Sequence, residues 1–316
     1  MNDWKKEFRE KAQLYNFPMK GTDSTVRQAM HLGNDIISMD LSHADLKKVR
    51  LVDVNFSDKD LSDSDLRGTT FIGVDLRRAD LSRAKLNQAN FQSQKLSGRQ
   101  LIVNLSEANL QNSDLGGANL TKTILTKANL KGAKLQGACL KSAELDGVNL
   151  KGADLSGANL NRANLTGANL TEANLTGADC RNMQLNRTII CKTLFESSVL
   201  RKVDFSSMSL EFINFTKADL RGADFRKSNL KGARFFKADL RNVVFNDSNL
   251  DGAYLTSSLL ARANFEHANL SGAIFRYCID LKLEQIQNSL IDQKTKLPAH
   301  FKIQWVSETQ FSCEEQ

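Results

Sequence analysis

A large apolar residue stands at every fifth position of this chain from Leu105 to Phe275, with Cys180 as the one weak member. Each unit reads small residue, Asn or Asp, Leu or Phe, then two variable residues, as in Ala153-Asp154-Leu155-Ser156-Gly157 and Ala163-Asn164-Leu165-Thr166-Gly167. The same unit runs upstream from Ile36 to Leu101, so that about 49 units cover roughly residues 34–277. The two runs are out of phase by one residue, because Leu101 is followed by Leu105. This phase slip implies a four-residue unit, or a bulge of that net effect, within residues 99–104.

A period of five fits neither the 3.6 of a helix nor the 2 of a simple strand, so the backbone must change direction inside each unit. The small residue and the large one two places on share a face of an extended triplet, with the intervening Asn or Asp pointing outward. The last two positions must then turn the chain. Fifteen of the 18 glycines fall on the second of them, from Gly68 to Gly272, which suits a turn that needs positive φ. An extended triplet and a corner, repeated, make a coiled polygon.

The phenylalanines set the number of sides. They occupy the centres 195, 205, 215, 225, 235, 245, 265 and 275, while Leu or Ile fills most of the alternate ones. Rings on every second side require an even-sided polygon, and four sides of five residues close a coil of 20. About twelve coils at a strand spacing of about 4.8 Å make a rod of roughly 58 Å. Its interior is a packed core of Leu, Phe and Ala, with no ligand cavity expected inside.

This pattern resembles the pentapeptide-repeat family, whose signature A(D/N)LXX stands almost verbatim from Ala108-Asn109-Leu110 through Ala178-Asp179 and again from Ala218 to Phe275. The resemblance implies an all-β solenoid, a right-handed quadrilateral β-helix, and supplies the handedness that periodicity does not. It spans gyrase-protecting DNA mimics, bacterial effectors and proteins of cyanobacteria and the thylakoid lumen. Architecture is therefore fixed much better than function.

The flanks read as caps over the unpaired ends of the solenoid. Residues 1–33 form the expected N-terminal cap, with an amphipathic helix from Asp3 to about Tyr15 that carries Trp4, Phe8, Ala12 and Tyr15 on one side. A membrane-surface role for that helix competes with capping. Residues 278–316 form the expected C-terminal cap and tail, with a short helix within Leu281 to Leu290.

The remaining sequence argues against catalysis. GxxxxG recurs only because glycine recurs, and Ala153 follows Gly152 where a phosphate loop needs Lys. The four histidines, His31, His43, His267 and His300, are scattered, with no HExxH or Cys/His cluster, so no cofactor and no metal are expected. Cys139 and Cys191 take outward positions without a sign of an activated thiolate. Five scattered cysteines, no secretory leader and no apolar run of membrane-spanning length lead to the expectation of a cytoplasmic, non-enzymatic protein, or one translocated as an effector.

The outward faces carry the one functional signal. The net charge is +7, and the side centred on 120, 140, 160, 180, 200, 220, 240 and 260 bears a base on every coil: Lys122, Lys141, Arg162, Arg181, Arg201, Lys202, Arg221, Arg241 and Arg262. Only Asp179, Asp219 and Asp239 oppose them there, which places six of the seven excess charges on one side. Such a ladder is either a solvated face neutralised by its aspartates or a binding surface for an anionic partner. A second patch is apolar: Ile189, Leu194 and Val199 replace the outward Asn or Asp on three successive sides, with Phe212 and Phe236 at nearby corners. It is a candidate contact for a partner or for a homodimer.

The reading that follows is a non-catalytic interaction scaffold, an effector or regulatory adaptor, that docks another protein along the basic side. The alternative taken from the resemblance is a topoisomerase-binding DNA mimic. Mimicry needs a row of acids standing in for phosphates, and this ladder has the opposite sign. An anionic membrane surface is a further partner class. Nucleic acid is disfavoured, because no aromatic stacking platform accompanies the bases.

Overall fold

The computed structural model describes residues 27–30, 41–96, 98–305 and 311–315. The helix expected over Asp3 to Tyr15 lies outside them. Parallel bridges link each coil to the next at a spacing of 20 residues, as in the column Asn119, Cys139, Asn159, Asp179, Val199, Asp219, Asp239, Leu259 and Ile279. Four such columns make the four walls of a right-handed quadrilateral β-helix. We number the walls by their centres: the first holds Leu105 and Leu125, the second Leu110 and Leu130, the third Leu115 and Leu135, and the fourth Leu120 and Leu140.

The five-residue unit builds this shape from local forces. In nearly every unit the amide three residues after the centre donates to the centre's carbonyl, as Ala108 N–H does to Leu105 at 3.1 Å, and the residue before it takes φ near +60°. That is a turn with a left-handed second corner residue. The outward Asn or Asp caps the same corner: Asn104 Oδ1 accepts from Ser106 N–H at 2.9 Å, and Asp154 Oδ1 from Ser156 N–H at 3.0 Å. Asn and Asp are therefore the corner's caps, not free surface polar groups. On the second wall the amides also link coils, Asn149 Nδ2 donating to Asn129 Oδ1 and Asn129 Nδ2 to Asn109 Oδ1, both at 3.1 Å.

Inside, the centre and the small residue two before it are buried almost without exception. Phe205, Phe225, Phe245 and Phe265 stack up the first wall, with Phe205 and Phe225 centroids 4.9 Å apart. Phe195, Phe215 and Phe235 stack on the third wall, opposite, and meet the first set edge to face. The alternation of rings thus places them on opposite walls.

Three strands form one parallel sheet on the fourth wall: β1 (Arg27–Met30), β2 (Val49–Val52) and β3 (Thr70–Ile72). The phase slip takes a different form from a shortened unit. After Phe91 the chain leaves the wall in an antiparallel hairpin, β4 (Gln94–Leu96) and β5 (Arg99–Leu101), and rejoins the core at Val103 and Leu105. Asp75 bridges Asn104, and Asn90 bridges Asn119, so this coil takes 29 residues instead of 20. Nine extra residues minus two whole units leaves the one-residue slip. Leu101 is accordingly half-buried on the hairpin and is not a core centre.

At the far end a short helix, α1 (Leu283–Ile286), lies over the last coil. Gln285 Oε1 accepts from Lys282 N–H, and Gln285 Nε2 donates to the carbonyls of Leu260 and Ala263 at 2.8 and 2.7 Å. Leu281, Ile286 and Ile291 close the core from above. The chain then continues the rungs through Leu290 and Lys296 and ends in the antiparallel pair β6 (Phe301–Trp305) and β7 (Phe311–Glu315).

Candidate interaction surfaces

The 20-residue coil places all nine bases of the ladder along the corner that follows the fourth wall. Arg181, Arg201, Arg221 and Arg241 take the first corner position on four successive coils, and these four are engaged with the wall's aspartates. Arg181 donates from Nη2 to Asp179 at 2.6 Å, Arg241 does the same to Asp239 at 2.6 Å, and Arg201 reaches one coil upward to Asp219 at 2.5 Å. Arg221 contacts both Asp219, at 2.9 Å, and Asp239, at 3.4 Å. The Arg181 guanidinium holds the Asp179 carboxyl below its ordinary value against a smaller opposing effect of burial. For Asp219, partial burial pulls upward, and hydrogen bonds from Arg221 and Arg201 outweigh it, leaving a lowered value.

The other five bases differ. Lys122, Lys141, Arg162, Lys202 and Arg262 form no ion pair among the described residues. The wall is thus a zipped centre of arginines and aspartates, with Lys122, Lys141 and Arg162 unneutralised below it, Lys202 within it and Arg262 above it. An aspartate two residues earlier marks Arg181, Arg221 and Arg241 as paired; only the pairing of Arg201 with Asp219, which crosses coils, escapes sequence proximity.

The apolar candidates do not form a single patch. Ile189, on the second wall, and Phe212, at the corner after it one coil higher, line the same cleft. Leu194 lies on the third wall, half-buried Val199 on the fourth, and Phe236 at the corner after the third, with Lys237 Nζ 5.1 Å from its ring centroid. Phe212 is 72% exposed, and its ring lies over Gly232: a Cβ there would come within 2.6 Å of Phe212 Cδ1.

The cleft was not anticipated from the sequence. On the first and second walls, the coil holding 183–192 and the coil holding 203–212 do not pair. The coil below bonds to the lower lip through Leu165, Gly167, Leu170 and Glu172 N–H at 2.8–2.9 Å, and the upper lip bonds to the coil above through Phe205, Ser207, Leu210 and Phe212 N–H at 2.7–2.8 Å. Across the seam the equivalent amides, Leu185, Arg187, Ile190 and Lys192, have no backbone acceptor among the described residues, and bridges 184 to 204 and 189 to 209 are missing. Pairing resumes on the third wall, where Leu194 bridges Asn214, and on the fourth, where Val199 bridges Asp219. The result is an open cleft of about 1330 Å³. A signal for it was present: Met183 and Met208 stand where the unit calls for a small residue. Extra volume at a close-packed position forces neighbouring backbone apart.

Thiol chemistry is not favoured within the wall. Cys180 is fully buried, and burial pushes its thiol far above the ordinary range; Cys139 is half-buried and Cys191 exposed. No cluster that could hold a metal ion occurs among the described residues. None of their helices is long and apolar enough to cross a membrane.

A quadrilateral β-helix filled by centres every five residues defines a class of solenoid proteins. Models of pentapeptide repeats match residues 60–98, 104–141, 143–182, 198–236 and 238–276, and the chain belongs to the pentapeptide-repeat family. The two longest breaks in that match fall at the hairpin and at the lower lip of the open seam. Among solved structures, the chain is similar to HetL of Nostoc sp. strain PCC 7120, involved in heterocyst differentiation regulation, at 26% identity over 79% of this chain and 90% of that one, with a TM-score of 0.30. It is also similar to Rfr23 of the cyanobacterium Cyanothece 51142, at 30% identity over 38% and 85%, TM-score 0.29. A third is QnrB1, a plasmid-mediated fluoroquinolone resistance protein, at 16% identity over 77% and 91%, TM-score 0.30. No curated protein matches the chain.

Proposed function

We propose that this protein is a rigid, non-catalytic interaction scaffold that docks an acidic protein along the corner of its fourth wall, as an adaptor or effector. The observation that supports this reading is the surplus of bases on one wall, nine against three aspartates, with five of the nine outside any ion pair among the described residues. Cations at fixed rungs of a stiff rod are presented without the ordering cost that flexible side chains on loops would add. Docking then uses Lys122, Lys141, Arg162, Lys202 and Arg262 as the primary contacts. The zipped arginines contribute where a partner carboxylate displaces an aspartate.

The test is charge reversal in two sets. Reversing the five unpaired bases to Glu should abolish capture of an acidic peptide such as poly-glutamate and leave the far-ultraviolet spectrum unchanged. Reversing Arg181, Arg201, Arg221 and Arg241 should weaken both binding and stability, because it puts acids beside acids. Unchanged binding by the folded five-site variant would refute the surface. Vesicles containing anionic lipid, run in parallel, separate a membrane from a protein partner, and a supercoiling assay separates both from topoisomerase binding.

A further inference from the structure

We propose that the open seam between residues 183–192 and 203–212 is a receptor site for an extended polypeptide strand of a partner, which enters as an additional half-rung. The site lies on the first and second walls and opens directly after the basic corner, whose Arg181 and Lys202 immediately precede the two lips. Its character follows from what the lips lack. The lower lip offers the N–H groups of Leu185, Arg187, Ile190 and Lys192, and the upper lip offers those of Asp204 and Ser209, with no backbone acceptor for any of the six among the described residues. The carbonyls that would have received them, on Asp204, Ser206, Ser209 and Glu211 above and on Met183 and Thr188 below, are equally without their rung partners. Unmade backbone hydrogen bonds on both lips are the pattern that strand addition satisfies.

Size and charge narrow the occupant. At about 1330 Å³ the cleft exceeds the span of ordinary small-molecule pockets, and it is open along one side. It turns one corner of the solenoid, so a segment two five-residue units long follows it. Arg187 and Lys192 stand on the lower lip, and Asp204 and Glu211 on the upper, with no ion pair among these four. A nucleic acid or an anionic lipid would meet the acidic lip with repulsion. A peptide carrying both signs, or a small acidic content toward Lys192, fits both lips. Its floor is apolar, from Leu185, Ile190 and Met208, which selects a small and a large apolar residue two places apart.

The probe is a fluorescein-labelled peptide with the sequence of residues 163–172, the segment that pairs with the lower lip from beneath in the intact rod and ends in the equivalent of Glu172. Anisotropy should show saturable binding to the full chain. Methylating the peptide nitrogens equivalent to Leu165 and Leu170 removes the donors aimed at Asp204 and Ser209 and should weaken binding at least about tenfold. A scrambled peptide should not bind. Met183→Ala with Met208→Ala restores the small residues, should close the seam, and should abolish binding with the fold intact. Hydrogen exchange gives an independent readout: the Leu185, Arg187, Ile190 and Lys192 amides should exchange faster than those of Leu165 and Leu170, and the peptide should slow them. Equal protection of the two sets without peptide would overturn the proposal. So would absence of peptide binding, or binding indifferent to nitrogen methylation.

Discussion

The Arg221 guanidinium bridges two coils, 2.9 Å from Asp219 Oδ2 and 3.4 Å from Asp239 Oδ2. Asp219 also accepts from Arg201 of the coil below, so three successive coils are tied by one chain of charges. The folded Asp219 value lies below the ordinary one, so its pairing contributes stability that is complete above about pH 4 and lost as the pH falls through the folded value. Asp219→Asn should cost about 0.5–1 kcal/mol near neutral pH, the low end because Arg201 and Arg221 remain partly solvated. It should also flatten the acid limb of the stability profile. Urea unfolding at a series of pH values between 2 and 7 measures both.

The stacked rings make the upper half of the rod depend on single phenylalanines. Phe225 is fully buried, stacks on Phe205 and Phe245, and meets Phe215 and Phe235 edge to face. Phe225→Ala should destabilise by about 3–5 kcal/mol, because coils above and below cannot collapse into the space without breaking rungs. Phe225→Leu restores the residue of the lower coils and should cost much less. Calorimetry of the two variants should rank them in that order; equal losses would mean that the stack is not close-packed.

Much of this architecture is legible in the residues. Centres at every fifth position give the polygon, alternate phenylalanines give its four sides, and bases at 181, 201, 221 and 241 fall into one column as the arithmetic requires. Three features escape that reading for physical reasons. The hairpin at 94–101 carries Leu96 and Leu101 in register with the repeat, so a nine-residue excursion passes for a one-residue slip. The opposition of Arg201 to Asp219 depends on rotamers that cross coils, which a side-by-side charge count does not contain. The seam coincides with Met183 and Met208 in small-residue positions, where hydrophobicity is kept and volume is not; periodicity registers only the first.

Gly232 and Phe212 form a coupled pair at one corner. Gly232 has φ +64°, and Phe212 covers its α-carbon so closely that a methyl would sit 2.6 Å from the ring. Gly232→Ala should lose about 1–2 kcal/mol from the left-handed backbone and the contact together. In a Phe212→Ala background only the backbone part should remain. A double-mutant cycle by chemical denaturation should therefore give a favourable coupling for the second change, and strict additivity would show that the ring moves aside without cost.

The hairpin offers a direct test of the coil arithmetic. Removing residues 94–102 joins Ser93 to Val103, which places Leu105 five residues after Phe91 and restores the unit Val-Asn-Leu immediately after the corner Gln92-Ser93. Every rung above and below already has its partner: Asn90 bridges Asn119 and Asp75 bridges Asn104 across the excursion. Among the deleted side chains, Ile102 is 41% exposed and Leu101 half-buried, so neither is a core centre. Shortening a loop by nine residues also lowers the entropy lost on closing it. The deletion should therefore fold with an unchanged far-ultraviolet spectrum and a stability within about 1 kcal/mol of the parent or above it. Deleting eight or ten residues at the same place should strain the rod locally, because one residue too many or too few must be absorbed between Phe91 and Leu105, where the five-residue unit leaves no slack. Comparable melting of the eight-, nine- and ten-residue deletions would show that the excursion is tolerated for some reason other than its length.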